Sequence, residues 1–360
     1  MNPRDLMRRD LMALAPYPPP PQLGAIEQRI GRRVVKLDAN ENSYGPSPRV
    51  AEALSRCCAE RYPDPDSTVL REELGRHVGA DPARIVCSAG GDEMLDLLLR
   101  LFLEPGDEVI DLTPSFVMYE LSTVYNRGAV VRVPRGEHWT VDVDAVRRAR
   151  TDRTKVIFLC SPNNPTGNAT PREDIVHLLE LGCMVVLDEA YAEFAGRTQV
   201  DLAEAYPNLI VLRTMSKWAA LAGLRLGYAV VDPVLVHEMK KIKSPYNVGA
   251  AAQAAGVASL RDRDYLMANV ARIVDEREQL YRQLAALPFG TVFPSETNYL
   301  YWQTGDVSAA ALKAALTEQG VLLRALHDPV DALRISVGTP QESEMVLAAL
   351  QETYARLAGR

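Results

Sequence analysis

Lys217 is the residue of this chain whose position most clearly suggests chemistry. It lies in TMSKWAALAGLRLGY, residues 214–228, directly after a strongly apolar run that predicts a buried strand. A lysine is by default a solvated surface residue. In a low-dielectric pocket at the end of a strand its pKa must fall, which makes the neutral amine a candidate nucleophile. Ser216 stands beside it and Arg225 follows eight residues later, so the segment predicts a reactive amine close to groups that bind anions.

Three other apolar runs also end in polar residues. IVCSAGGDE ends at Gly90 and Gly91, VIFLCSPNNPTG ends at Asn164, and MVVLDEAY ends at Asp188 and Tyr191. In an open parallel sheet, ligands bind outside the carboxyl ends of the strands. We therefore expect these side chains to meet Lys217 at one edge of a sheet.

Each of these motifs also has an ordinary structural explanation. The stretch Gly90–Asp92 could be a turn followed by a helix cap, PNNPTG is a good turn sequence, and a buried Asp188 could serve only to cap a loop. A buried carboxylate is nevertheless costly unless a cation meets it.

Alternatively, the glycines could form part of an anion-binding site. Backbone N–H groups at a helix N-terminus would face a phosphate, and Thr214, Ser216 and Arg225 could complete the site with hydroxyl donors and a guanidinium.

Pyridoxal phosphate unites these features. This cofactor needs a lysine for covalent attachment, a site for its phosphate, and a carboxylate that keeps its pyridine nitrogen protonated. Lys217, the glycine-rich turn and Asp188 match those three needs. A nicotinamide-binding Rossmann domain is the alternative, but no GxGxxG follows a strand, and a Walker loop is also absent.

The elements that must position these residues follow from the hydrophobic pattern. Short apolar runs alternate with helical patterns from about residue 84 to 231, which predicts a mainly parallel sheet with helices on both faces. The runs are RIVCSA, DEVIDLT, AVVRVP, KVIFLC, CMVVLDEA, LIVLRT and GYAVV.

The C-terminal part predicts a smaller α+β unit. It contains a long helix over 262–287, a strand in TVFPSETNYLYWQT, a helix in VSAAALKAALTEQG, strands VLLRAL and LRISVG, and a closing helix over 341–357. The proline cluster at 16–21 makes the first twenty residues an arm. We expect an N-terminal arm with part of the small domain at 1–40, a large cofactor-binding domain at 41–270, and a small domain at 271–360.

Composition excludes several classes of protein. The 360 residues carry a net charge of −7 without a long basic run, which argues against a nucleic-acid binder. No apolar stretch is long enough for a membrane span, and the N-terminus lacks the pattern of a signal peptide. Five cysteines, odd in number, favour buried thiols in the cytoplasm over disulfides, and the scattered histidines predict no metal site.

Six motifs, which follow one another in a fixed order along the chain, point to a protein family. KLDANENSYGPSP, RYPDPDSTVLREEL, PNNPTG, DEAYAEF, TMSKWAALAGLRLGY and LRISVGTPQESE together resemble the fold-type I aminotransferases that depend on pyridoxal phosphate. Within these, the sequence is most similar to the histidinol-phosphate aminotransferases. Relatives that act on phenylalanine or tyrosine, and a threonine-phosphate decarboxylase, share the scaffold.

The resemblance implies roles around the cofactor. Lys217 would bond to it and then move a proton, and Asp188 would pair with its ring nitrogen. Tyr191 and Asn164 would donate hydrogen bonds to its phenolic oxygen, and Phe116, often Tyr in relatives, would stack on its ring. The phosphate would be held by Gly91, Asp92, Thr214, Ser216 and Arg225, and by Tyr62 from the partner subunit of a homodimer.

The resemblance also implies residues that bind substrate. Arg334 matches an arginine that binds a carboxylate, and Arg324 matches one that contacts the substrate phosphate. Tyr17 would close over the substrate, with Asn42 near it, whereas His327 is more simply an exposed loop residue. The implied reaction exchanges an amino group between L-histidinol phosphate and 2-oxoglutarate. Aromatic amino acids as substrates, or a non-catalytic protein that binds the cofactor, are the other interpretations.

Overall fold

The seven apolar runs predicted between residues 84 and 231 form a single sheet, which confirms the α/β architecture. The computed structural model describes residues 1–12, 14 and 22–359. The strands among these residues are β1 Val35–Lys36, β2 Ile85–Ser88, β3 Glu108–Thr113, β4 Ala129–Pro134, β5 Thr154–Cys160, β6 Met184–Asp188, β7 Leu209–Thr214, β8 Gly227–Val230, β9 Thr291–Val292, β10 Tyr299–Gln303, β11 Val321–Leu322, β12 Arg324–Leu326 and β13 Ala332–Ser336.

The helices cover both faces of this sheet and build the C-terminal unit. The α-helices are α1 Arg9–Met12, α2 Leu23–Ile30, α3 Pro48–Ser55, α4 Thr68–Val78, α5 Gly90–Phe102, α6 Met118–Tyr125, α7 Val143–Ala149, α8 Arg172–Leu179, α9 Ala192–Ala195, α10 Leu202–Ala205, α11 Pro233–Ile242, α12 Ala250–Arg261, α13 Arg263–Ala285, α14 Ala309–Glu318 and α15 Pro340–Leu357. Short 3-10 helices occupy Pro3–Leu6, Pro82–Arg84, Glu137–Trp139 and Ala222–Leu224.

The strand order of the large sheet is β2-β8-β7-β6-β5-β3-β4. Strand β8 is antiparallel to both its neighbours, and the other pairs are parallel. The central strands are largely apolar because both faces of the sheet are covered. On β7, for example, Val211 packs into the core on one face while Ile210 and Leu212 pack into the core on the other.

A second core belongs to the C-terminal unit. The sheet β12-β13-β10-β9 packs with α14, α15 and the second half of α13 around residues such as Leu300, Trp302 and Leu333. The parallel pair β1-β11 joins the segment before residue 40 to this unit. The first half of α13 packs into the large core, through Leu266 and Ile273. The predicted domain boundary at residue 270 therefore lies inside one continuous helix, and the division into domains stays a prediction.

Two predicted strands are wrong in their extent. TVFPSETNYLYWQT contains β9 and β10 with a loop at 293–298 between them, because the Ser295 hydroxyl accepts the backbone N–H of Thr297 at 3.1 Å and diverts it from a strand ladder. VLLRAL is divided at Leu323, since β11 pairs with β1 whereas β12 pairs with β13.

The predicted helices agree closely with the structure. The long pattern over 262–287 is α13, VSAAALKAALTEQG contains α14, and the closing helix is α15. Among the described residues, no helix combines the length and the apolar character that a membrane span requires.

Candidate active site

Three neighbouring parallel strands carry the predicted reactive residues at their carboxyl ends. Asp188 is the last residue of β6, Asn164 follows β5, and Lys217 follows β7. A cavity of about 350 Å³ lies at this edge. The predicted residues in its wall are Gly91, Asp92, Phe116, Asn164, Asp188, Tyr191, Thr214, Ser216, Lys217, Arg225, Arg324 and Arg334.

Lys217 is partly buried in this wall. Its Nζ donates a hydrogen bond to the backbone oxygen of Ala39 at 3.0 Å. Burial, and then the positive charge of Arg334, lower the pKa of Lys217 to about 8. A substantial fraction of this amine is therefore neutral near physiological pH and able to attack a carbonyl carbon.

Asp188 is buried with only 7 % of its surface exposed. One carboxylate oxygen accepts the hydroxyl of Tyr119 at 2.6 Å and the other accepts the backbone N–H of Ala190 at 3.0 Å. Burial raises the pKa of Asp188 to about 6, against the effect of these two hydrogen bonds. Both partners are neutral, and no ion pair to Asp188 occurs in the described part of the chain.

Tyr191 and Asn164 are held by residues from other elements. The hydroxyl of Tyr191 accepts the side-chain N–H of Asn40 at 2.9 Å, and burial raises the pKa of this phenol. The side-chain oxygen of Asn164 accepts a hydrogen bond from Arg334 at 2.7 Å. The pairs connect the edge of the large sheet to the segment around residue 40 and to β13.

Several groups of the kind that bind anions meet at the corner of the cavity where α5 begins. Gly90 has a φ of +81°, and a Cβ at this position would lie 2.6 Å from the guanidinium of Arg225. That guanidinium contacts Asp92 at 2.9 Å. The hydroxyls of Thr214, at the end of β7, and Ser216, in the loop that follows, lie 3.0 Å apart. The corner thus combines a helix N-terminus, two hydroxyls and a guanidinium, which are groups that bind phosphate.

A pair of arginines from the small unit forms the opposite wall. Arg324 and Arg334 are directly opposite each other on β12 and β13. Arg334 donates to Asn164 and to the backbone oxygen of Asp38, and its guanidinium lies 5.4 Å from the ring centre of Tyr299. Burial, and secondarily the charge of Arg324, lower the pKa of Arg334. Two like charges side by side in a cavity favour an anionic ligand.

Two predicted site residues, Tyr62 and Asn42, do not line this cavity. Tyr62 is 81 % exposed and stacks on Tyr246, with 4.4 Å between ring centres. Asn42 is buried behind the wall, where its amide donates to the backbone oxygens of Lys217 and Trp218. His327 is exposed and pairs with Asp331. Tyr17 lies outside the described residues.

Several residues at this site were not predicted from the sequence. Tyr119 and Asn40 contact the predicted residues directly, as described above. The remaining unpredicted residues in the cavity wall are Asp38, Ala39, Ser115, Val117, Cys160, Pro165, Ala190, Leu212, Arg213, Ala222 and Leu326. The DANEN motif contains Asn40 and could have indicated that this residue lies at the site. For Tyr119 the sequence offers only its position three residues after Phe116.

The residues of this cavity fit pyridoxal phosphate. The buried carboxylate of Asp188 lacks a cationic partner, and a protonated pyridine nitrogen would supply one. The corner at α5 suits a phosphate and Lys217 suits an aldehyde. The Nε of Arg334 has no hydrogen-bond partner among the described residues. A ligand with acceptor atoms would therefore complete the site.

Comparisons with known proteins agree with this geometry. The model of the family "Aminotransferase class I and II" matches residues 32–350. The chain is 46% identical to a histidinol-phosphate aminotransferase of Roseiflexus castenholzii over 96% of its length and 98% of the relative's. It is 44% identical to one of Dehalococcoides mccartyi over 89% of its own length and 90% of the relative's.

A solved structure is similar over nearly the whole chain. This is the histidinol-phosphate aminotransferase of Sinorhizobium meliloti in complex with pyridoxal-5'-phosphate, with a TM-score of 0.89, 28% identity and 98% coverage of each chain. The family match spans most of the sequence and the relatives align almost end to end. The chain belongs to the class I and II aminotransferases.

Proposed function

We propose that this aminotransferase exchanges an amino group between L-histidinol phosphate and 2-oxoglutarate, giving imidazole-acetol phosphate and L-glutamate. The observation that carries this proposal is the pair Arg324 and Arg334, which face one cavity from adjacent strands. The names of the two bacterial relatives and of the Sinorhizobium meliloti structure support it.

The residues divide the work between cofactor and substrate. Pyridoxal phosphate, when bound, supplies an aldehyde that bonds to an amine and a protonated ring that withdraws electrons from the substrate carbon. Lys217 would hold the cofactor and would later move a proton at the substrate Cα. Its lowered pKa suits a group that must accept and release protons near neutral pH.

Other residues orient the cofactor in this proposal. Asp188 faces the ring nitrogen, and Asn164 and Tyr191 donate to the phenolic oxygen. Phe116 packs on the ring. The beginning of α5 at Gly91 and Asp92, with Thr214, Ser216 and Arg225, holds the phosphate.

The two arginines bind both substrates in turn. Histidinol phosphate carries a phosphate and no carboxylate, whereas glutamate carries two carboxylates. A guanidinium binds either anion through two parallel hydrogen bonds, so the same pair serves both halves of the reaction. We assign Arg324 to the substrate phosphate and Arg334 to the carboxylate of the co-substrate.

A homodimer with shared active sites is part of the proposal. The high exposure of Tyr62 on its own subunit is consistent with a side chain that reaches the cofactor phosphate of a partner. A cytoplasmic location is supported by the five free thiols, Cys57, Cys58, Cys87, Cys160 and Cys183.

Substrate preference tests this function. The purified protein should transfer the amino group of L-histidinol phosphate to 2-oxoglutarate with a much larger kcat/KM than that of L-phenylalanine. Arg324→Gln should lower kcat/KM for histidinol phosphate by about tenfold to a hundredfold, because a charge-assisted hydrogen bond to the phosphate is lost. The same change should affect phenylalanine little, since it has no phosphate.

The exposed Arg172, which pairs with Asp201 away from the cavity, supplies the control. Arg172→Gln should leave both constants unchanged. A protein that binds no pyridoxal phosphate, or one that prefers phenylalanine, would contradict the proposal.

A further inference from the structure

The buried carboxylate of Asp188 is surrounded by groups that do not stabilise its charge. Asp92 and Glu189 are acidic neighbours that raise its pKa, and Cys160 on β5 and Tyr191 are weak acids close to it. Only two hydrogen bonds among the described residues act in the opposite direction. They come from the backbone N–H of Ala190 and from the hydroxyl of Tyr119.

Tyr119 is held rigidly in the position from which it makes this contact. It lies in the first turn of α6 with only 1 % of its surface exposed. Its ring stacks on Phe158 at 4.6 Å and meets the edge of Phe116 at 5.6 Å. Burial and the nearby Asp188 raise the pKa of the Tyr119 phenol, so its hydroxyl keeps its proton and acts as the donor.

We propose that Tyr119 is a positioning residue that keeps Asp188 ionised and aims its carboxylate at the ring nitrogen of the cofactor. This inference rests on the proposed function. The hydroxyl contacts one carboxylate oxygen at 2.6 Å and the backbone of Ala190 contacts the other at 3.0 Å, so both oxygens are fixed. A carboxylate oxygen has a second lone pair, which stays available for the ring N–H.

Loss of the Tyr119 hydroxyl should weaken cofactor binding in a way that depends on pH. The hydrogen bond from Tyr119 favours the charged form of Asp188, so its removal raises the pKa of that carboxyl above the value of about 6. A protonated Asp188 no longer attracts a ring cation. A variant without the hydroxyl should therefore bind the cofactor poorly near pH 6 and recover as the pH rises and Asp188 ionises.

Binding of two cofactor forms to the apo-protein tests this inference. The forms are pyridoxal phosphate and its 1-deaza analogue, in which carbon replaces the ring nitrogen. Tyr119→Phe should weaken binding of pyridoxal phosphate by about tenfold at about pH 6 and much less at about pH 9. The variant should bind the deaza analogue as the wild type does, because that ring cannot engage Asp188.

Tyr228→Phe is the matched control. Tyr228 is equally buried in β8, and its hydroxyl has no hydrogen-bond partner among the described residues. This variant should bind both forms like the wild type. In an Asp188→Asn background, Tyr119→Phe should have no further effect, because the two residues act through one interaction.

Two results would overturn the inference. Unchanged binding of pyridoxal phosphate by Tyr119→Phe at both pH values would show that the hydroxyl is dispensable. Equal weakening for both forms would show a purely structural role. Either result leaves the proposed function intact, whereas a wild-type protein that binds neither form refutes both.

Discussion

Charge at the cavity is unbalanced in a way that selects its ligands. Cationic side chains outnumber carboxylates in its wall, which contains Arg213, Lys217, Arg225, Arg324 and Arg334 against Asp38, Asp92 and Asp188. Burial makes Lys217 harder to protonate, and the positive charges of Arg334 and Arg225 add to that effect. A site of this kind binds phosphates and carboxylates while keeping one amine reactive. The same positive charge therefore serves recognition and chemistry.

This coupling can be tested through the pKa of Lys217. Arg334→Gln removes a charge that lowers this pKa, and Glu41→Gln removes one that raises it. Only the neutral amine attacks an aldehyde. The rate at which the apo-protein captures pyridoxal phosphate should thus reach half its maximum near pH 8 in the wild type, at higher pH in Arg334→Gln, and at lower pH in Glu41→Gln.

Each of these two variants is a control for the other, because the pH of half-maximal capture should shift in opposite directions. A general loosening of the cavity would move both variants in the same direction, towards the pKa of an exposed lysine. Shifts of the same sign, or no shift in Arg334→Gln, would show that the charge of the arginine does not reach Lys217.

The secondary structure elements that present these residues were predictable from local patterns. Strands β5, β6 and β7 are continuous apolar runs that each end in a polar residue, and parallel strands bring their carboxyl ends to one edge. The positions of Asn164, Asp188 and Lys217 at a common cavity follow from that rule alone. The roles assigned to these residues remain predictions.

Residues that support the site from other elements could not be predicted in the same way. Arg213 directly follows the apolar residues of β7 and forms buried ion pairs with Glu189 and Glu193 at 2.8 and 2.6 Å. His77 on α4 reaches Glu193 at 3.0 Å and stacks on Trp218, next to Lys217. Contacts of this kind depend on tertiary packing between residues that are 20 to 116 positions apart in the sequence, as in Arg213–Glu193 and His77–Glu193. The hydrophobic repeats of a strand (two residues) and of a helix (3.6 residues) give no information about such contacts.

The packing of β8 against the beginning of α5 gives a prediction for these elements. A Cβ on Gly227 would lie 2.6 Å from the backbone carbon of Gly90 and 2.9 Å from the nitrogen of Gly91. Gly227→Ala should displace the helix N-terminus, at a cost of about 1–3 kcal/mol in the free energy of unfolding. It should also weaken binding of pyridoxal phosphate, measured by titration of the apo-protein.

Gly223 provides the comparison within the same region. It lies in the 3-10 turn at Ala222–Leu224, and a Cβ on it would meet nothing within 4 Å. Gly223→Ala should therefore leave both quantities unchanged. If Gly227→Ala binds the cofactor as tightly as Gly223→Ala does, the close approach of β8 does not define the phosphate corner.

At the scale of the whole molecule, the cavity depends on both cores. The large sheet supplies Lys217 and Asp188, and the small sheet supplies Arg324 and Arg334. The segment Asp38–Asn40 connects the two sheets. The backbone oxygen of Ala39 accepts a hydrogen bond from the amine of Lys217, and the backbone oxygen of Asp38 accepts one from the guanidinium of Arg334. Helix α13 packs into both cores and fixes their relation. The site thus requires both units and the segment Asp38–Asn40.

The proposed dimer adds a second chain to this requirement. Tyr62 and Tyr246 form a stacked, exposed aromatic pair, and Tyr62 is absent from the wall of its own cavity. If Tyr62 binds the cofactor phosphate of the partner, each active site combines Lys217 of one subunit with Tyr62 of the other. Two defective variants should then complement each other.

Mixed dimers of Lys217→Ala and Tyr62→Ala test this arrangement. Each variant alone should have little activity, because every site in it lacks one of the two groups. In a mixed dimer one site carries both substitutions and the other carries neither. Random exchange of equal amounts should thus restore about a quarter of the wild-type activity, since about half of the dimers are mixed and each has one complete site. If Tyr62 served its own subunit, every site would keep one defect and exchange would restore nothing. Mixing without subunit exchange, followed by mixing after mild denaturation and refolding, separates these outcomes in one assay.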